Sequence, residues 1–238
     1  MKKNLFAIAV LTIVALAACA NSGKKTASTA NAEEAKMTSV ETAKSIEFQP
    51  FDIVERSNTV ADYSKWRSAF NTDSVARKAS GMEFIVVGRG LEKNNDLLVV
   101  FKVSDVKKAK AFFADPRLKP LMEKSGVISK PEAEYFHVIR FDPNGKEKQW
   151  VTITHKVKDF DAWVKVFDAE GPATRATYGL ADVVLARGID DPNLVHIVFD
   201  IKDMAKAKAR IGDPALQKLM MDAGVEGAPK IGFYVDGE

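Results

Sequence analysis

Residues 77–136 align with residues 175–234 at a constant offset of 98, without a gap, and about one position in three is identical. The matches include Arg77/Arg175, Gly81/Gly179, Arg89-Gly90/Arg187-Gly188, Asp115-Pro116/Asp213-Pro214 and Gly126-Val127/Gly224-Val225. Upstream the offset becomes 97, pairing Asp62/Asp159, Trp66/Trp163 and Phe70/Phe167, so one residue has been gained or lost in the loop between. The chain must therefore fold as one unit written twice, and a repeated unit generally needs its neighbour to cover an apolar face.

The second copy shows what the unit is. Residues 150–157 (WVTITHKV) alternate apolar and polar side chains, as a half-buried strand does. Asp159 can cap a helix whose Phe160, Trp163, Val164 and Phe167 share one face, and Gly171-Pro172 punctuates the chain soon after. Residues 181–187 and 194–201 read as two strands joined by the turn-rich 190–193. Asp203 caps a second helix through Ile211, Asp213-Pro214 starts a further helical turn, and residues 230–235 form a last strand. The order is β-α-β-β-α-β, the ferredoxin-like split βαβ unit. Its two helices cover one sheet face and leave the other bare.

From about residue 50 onward the chain resembles the dimeric α/β-barrel superfamily, the antibiotic-biosynthesis-monooxygenase-like group, fused in tandem. The residues that carry the likeness are Asp159-Phe160 with Trp163 and Phe167, Arg187-Gly188, Asp213-Pro214 with Leu216, and Gly224-Val225. The resemblance implies an α+β fold in which repeats 48–145 and 146–238 close into an intrachain pseudo-dimeric barrel, and a monomer. It does not imply one chemistry, because the superfamily includes cofactor-free oxygenases, isomerases and haem-handling proteins.

Residues 1–18 read as a secretory signal: Lys2 and Lys3, an apolar run from Leu5 to Leu16, then small residues. The run is too short to span a bilayer as a helix. Its end, Leu16-Ala17-Ala18-Cys19, resembles the lipobox of bacterial lipoproteins. That likeness implies cleavage before Cys19, acylation of its thiol and, with Ala20 following, an outer-membrane address facing the periplasm. An ordinary signal with a chance cysteine, or an uncleaved anchor, is the other reading. Residues 19–47, rich in Ala, Ser, Thr, Lys and Glu and without a core-forming aromatic, read as a flexible tether.

The formal charge of +3 includes Lys2 and Lys3; without them it is +1, which gives no electrostatic case for nucleic acid. The only cysteine is Cys19, so the body holds no disulfide and no thiolate nucleophile. No phosphate loop, nucleophile elbow or zinc motif occurs. His137, His155 and His196 break the repeat, standing opposite Val235, Asn58 and Leu98. Strand parity turns His196 into the space between the two sheets, with Asp200, Lys102, Thr152 and Thr154 as neighbours, and turns His155 to the other face or to an exposed strand end. A histidine there serves a ligand, or is simply satisfied by a hydroxyl or water. Arg89 and Arg187 are candidates for a substrate carboxylate or phosphate, or for pairing with an acid such as Asp190 or Asp191. Arg77 and Arg175 carry the same two readings, and Trp66 and Trp163 are either core or the walls of a pocket. The leading expectation is a small apolar or aromatic molecule bound between the sheets, with no cofactor. A cofactor-free oxygenase or isomerase using His196 as base is second. A haem-handling protein, with His196, His155 or His137 as axial ligand, is third. A purely structural envelope role is the last.

Overall fold

The computed structural model describes residues 48–145 and 147–237. The signal, Cys19 and the tether lie outside the described residues. Among the described residues no helix is long and apolar enough to cross a membrane.

The first repeat runs β1 (Phe51–Thr59), α1 (Tyr63–Thr72), α2 (Ser74–Ala79), β2 (Met82–Gly90), β3 (Asp96–Val103), α3 (Val106–Ala114), α4 (Leu118–Ser125) and β4 (Glu132–Phe141). The second runs β5 (Gln149–Val157), α5 (Phe160–Thr177), β6 (Leu180–Gly188), β7 (Leu194–Ile201), α6 (Met204–Ile211), α7 (Pro214–Asp222) and β8 (Val225–Asp236). Aspartates open the helices as their spacing predicts. Asp62, Asp105, Asp159, Asp203 and Asp213 each accept a hydrogen bond from a first-turn backbone N–H, which satisfies a donor the helix itself cannot. Gly171, at φ +75 and ψ +155, is non-helical and divides α5 into two helical stretches.

Eight antiparallel strands close into a barrel in the order β1-β3-β2-β8-β5-β7-β6-β4. Each repeat supplies four neighbouring strands, and the repeats meet at two seams, β2–β8 and β4–β6. Because side chains alternate along a strand, the barrel wall has two separate cores. Outside it, Trp66, Phe101 and Val99 pack under the first repeat's helices, and Trp163, Phe167, Phe199 and Ile197 under the second's. Inside it, Ile53, Leu98, Val100, Phe136, Val138 and Ala186 form one cluster drawn from both repeats. The bare sheet faces cover each other, as the duplication requires.

Candidate functional site

The interior was the expected site. His196 is fully buried there, as strand parity predicts, and its ring stacks on Phe136 at 4.3 Å. Its Nδ1 lies 2.8 Å from Thr154 Oγ1. Its Nε2 lies 3.0 Å from Glu55 Oε1, across the barrel on β1, at ion-pair distance but without hydrogen-bond alignment. Thr152 bonds the Tyr234 hydroxyl, whose pKa burial and nearby carboxylates push up to about 12. Asp200 accepts from the Glu147 N–H at 3.2 Å. Lys102 is exposed at the strand end, over the Phe51 ring. Thr154 thus joins His196, whereas Lys102 and Asp200 contact other groups.

The two arginines of that expected set do not belong to it. Arg187 shares the helix-facing parity of the buried Leu185. It donates to the Pro192 carbonyl at 2.9 Å and covers Phe160. Arg89 does the same with the Asn94 carbonyl and Tyr63. Both brace the hairpin that follows, which is why Arg-Gly recurs in the repeat. The expected ligand space between the sheets is also occupied, by the interior cluster and by His196 itself. Glu55 was not anticipated. Its signal is a charged residue between Ile53 and Ser57 on the inward side of β1, in a strand whose register the sequence leaves ambiguous.

Two matching cavities lie outside the barrel, between its wall and the helices, one in each repeat and each of about 350 Å³; a shallower one of about 600 Å³ lies beside the first repeat's Arg77, Glu83 and Lys102. The matching pair stand at the lower end of the ~300–1,000 Å³ range of small-molecule pockets. The second-repeat cavity is lined by His155, Trp163, Phe167, Ile197, Phe199 and Met220 among others. His155 reaches it from β5 beside a register shift, and its ring meets Trp163 edge-on at 5.2 Å. His155 Nε2 and Trp163 Nε1 are both buried with no hydrogen-bond partner in the structure. Burial, helped by the nearby His196, pushes the His155 imidazole down to about 4, so it is neutral at physiological pH. At the rim, Arg175 works against its own burial, yet Asp182 and Glu170 outweigh that and hold its pKa above the usual value. Arg175 meets Asp182 Oδ2 at 2.5 Å, and Arg210 meets Glu170 Oε1 at 2.6 Å. Trp163 is both core and pocket wall. The first-repeat cavity, around Trp66, has Asn58 where the second has His155. His137 lies elsewhere, with Nδ1 2.7 Å from Asp52 Oδ1.

No protein-family model matches the chain, and no curated protein matches it. Solved structures do match in fold. One, provisionally assigned as a monooxygenase of Lactobacillus acidophilus NCFM, is 15% identical, with a TM-score of 0.51, over 79% of this chain and 94% of its own. An anthrone oxidase-like protein is 14% identical, with a TM-score of 0.52, over 79% and 92%. A protein provisionally assigned as a chlorite dismutase is 13% identical, with a TM-score of 0.50, over 80% and 96%. The chain therefore shares its fold with these structures, an α+β architecture of two ferredoxin-like repeats closed into one barrel.

Haem was the third expectation, and the residues present fit it in donor type alone. A neutral imidazole with an unpartnered Nε2 is a suitable axial ligand. The cavity is small for a macrocycle, however, and among the described residues the cations that line it, Arg175 and Arg210, are already paired with carboxylates. Among the described residues no group of three or more His, Cys, Asp or Glu could hold a metal ion.

Proposed function

We propose that the protein binds a small, flat, apolar molecule carrying one hydrogen-bonding group, in the second-repeat cavity between helices and barrel wall. One observation carries this reading: His155 Nε2 and Trp163 Nε1, which have no hydrogen-bond partner among the described residues, face a cavity whose walls are mostly apolar and whose charged groups, Arg175, Arg210 and Glu170, pair with one another or with Asp182. A buried polar atom left without a partner costs about 1–3 kcal/mol. A protein that keeps two of them side by side gains most when a ligand completes them. In this reading the lipobox-like end of residues 1–19 supports a lipid anchor at the outer membrane facing the periplasm, and the internal pairing of the two repeats supports a monomer.

The test is native mass spectrometry of the full-length protein, followed by calorimetric titration with 1-naphthol. The reading expects a reproducible small adduct, and a naphthol affinity that falls by about tenfold in His155→Leu. Unchanged affinity in that variant defeats the assignment to this cavity.

A second reading rests on the anthrone oxidase-like neighbour: the ligand is a phenolic substrate consumed with oxygen. An imidazole held near 4 is too weak a base to take a phenol's proton unaided. His155 would act as a hydrogen-bond acceptor that orients the hydroxyl. Oxygen uptake on adding anthrone decides between the two readings, since a binding protein consumes none.

A further inference from the structure

The two cavities occupy equivalent places, but their charges are arranged differently. In the second repeat, Arg175 is neutralised by Asp182 and Glu170. Its counterpart Arg77 lines the first-repeat cavity, while Phe84 stands in the place of Asp182. Arg77 is only 7% exposed and its guanidinium rests 3.7 Å from the Phe70 centroid. Arg56, in the place of Ile153, lines the same cavity. It stacks on Phe113 at 4.3 Å, and its Nη2 reaches only the Met122 sulfur at 3.5 Å. Among the described residues neither arginine forms an ion pair. Burial lowers the pKa of both; Asp73 offsets this for Arg77 only through space, and Arg67 opposes it. Beside them, Asn58 Nδ2 is buried without a partner. Buried charge is normally paired, because desolvation is costly.

We propose that the first-repeat cavity is a binding site for an organic carboxylate with an apolar body. Arg56 and Arg77 supply the positive charge, the Asn58 amide donates a hydrogen bond, and Trp66, Phe101 and Phe112 surround the body. A monoanion suits the site better than a phosphate dianion, because a largely apolar cavity of this size replaces little of a dianion's hydration. Guanidinium groups are also the side chains best matched to a carboxylate's two oxygens. This site differs from the second-repeat cavity in place and in ligand charge, and it stands without that reading.

The experiment is calorimetric titration of the full-length protein with 2-naphthoate and with 2-naphthalenemethanol, the same ring without the charge, the two being compared in the His155→Leu background so that alcohol bound in the second-repeat cavity does not enter. The acid is expected to bind about tenfold tighter than the alcohol. Arg56→Gln is expected to remove most of that preference and to leave alcohol binding within about threefold. Arg77→Gln should act likewise, and if it fails to fold, Arg56→Gln on the half-buried strand decides alone. His155→Leu should leave naphthoate binding intact. Equal affinity for acid and alcohol, binding of neither, or a preference that survives Arg56→Gln overturns the proposal. Loss of naphthoate binding in His155→Leu overturns it too, by moving the anion to the other cavity.

Discussion

Placed on the helix-facing side of β5, His155 is 6% exposed and has no partner for Nε2, so protonation would bury an unsatisfied charge. Its pKa of about 4 lies below the ~6.5 of an unfolded histidine. Between those values the unfolded chain binds the extra proton, so stability rises with pH through this window and is lost as pH falls from about 6.5 to about 4. The loss attributable to this one ring is on the order of 3 kcal/mol. Urea denaturation of the wild type and of His155→Phe across pH 4–7 measures it. The variant should be at least as stable at pH 7, and its stability should depend less on pH below 6.5; parallel curves would remove His155 as the cause. Parity along β5 and β7 made the facing of both His155 and His196 legible in the sequence. Their partners were not, because Glu55 reaches His196 from the other repeat and Trp163 reaches His155 from a helix. No spacing along one strand encodes a contact made across the fold.

Secondary elements were legible where local chemistry and packing agree, as at the five aspartate caps and the strands of the second repeat. They were less so where tertiary pairing overrides composition. Gly227 and Pro229 argue for a loop, and the sequence reading confines the last strand to residues 230–235. Pairing with β5 instead extends β8 over Val225–Asp236. Gly171-Pro172 breaks α5 as the sequence predicts, since Gly171 is non-helical there, and a second helical stretch beyond it carries Arg175. The repeat-matched glycines before β2 and β6 show the opposite case, in which local geometry decides. Gly179 adopts φ +73, and a Cβ there would come within 2.6 Å of Asp203 Cβ and 2.8 Å of its carbonyl oxygen. Asp203 caps α6, so neither group can retreat without loosening that helix. Gly179→Ala should therefore destabilise the fold by at least about 1–3 kcal/mol, from the strained conformation alone. Thermal or denaturant unfolding measures this. A neutral outcome would mean that the α5–β6 turn adopts another conformation.

At the scale of the whole molecule, duplication allows what a two-chain barrel of this kind cannot have, two seams that differ. β4 and β6 meet over five registered pairs, from Phe136↔Gly188 to Phe141↔Val184. β2 and β8 meet over three, Gly88↔Asp236, Arg89↔Val235 and Gly90↔Tyr234. Backbone bonds from Leu91 to Phe233 and from Gly237 to Val87, each 2.9 Å, extend that shorter seam by one bond at either end. It also passes close to Trp150, whose ring would lie 2.5 Å from a Cβ at Gly88, so the strands approach there only because residue 88 has no side chain. Local opening follows the number of contacts that must break together. The β2–β8 seam should thus open at lower free energy than β4–β6, even though both close the same barrel. Native-state hydrogen exchange resolves the two: the amides of Leu91 and Gly237, which donate across β2–β8, should exchange about tenfold or more faster than those of Asp142 and Ile189, which donate across β4–β6. Gly88→Val should widen that gap by driving a side chain into Trp150. Equal protection at the two seams would mean that the barrel opens as a single unit, with the second repeat's hold on the first spread evenly around the wall.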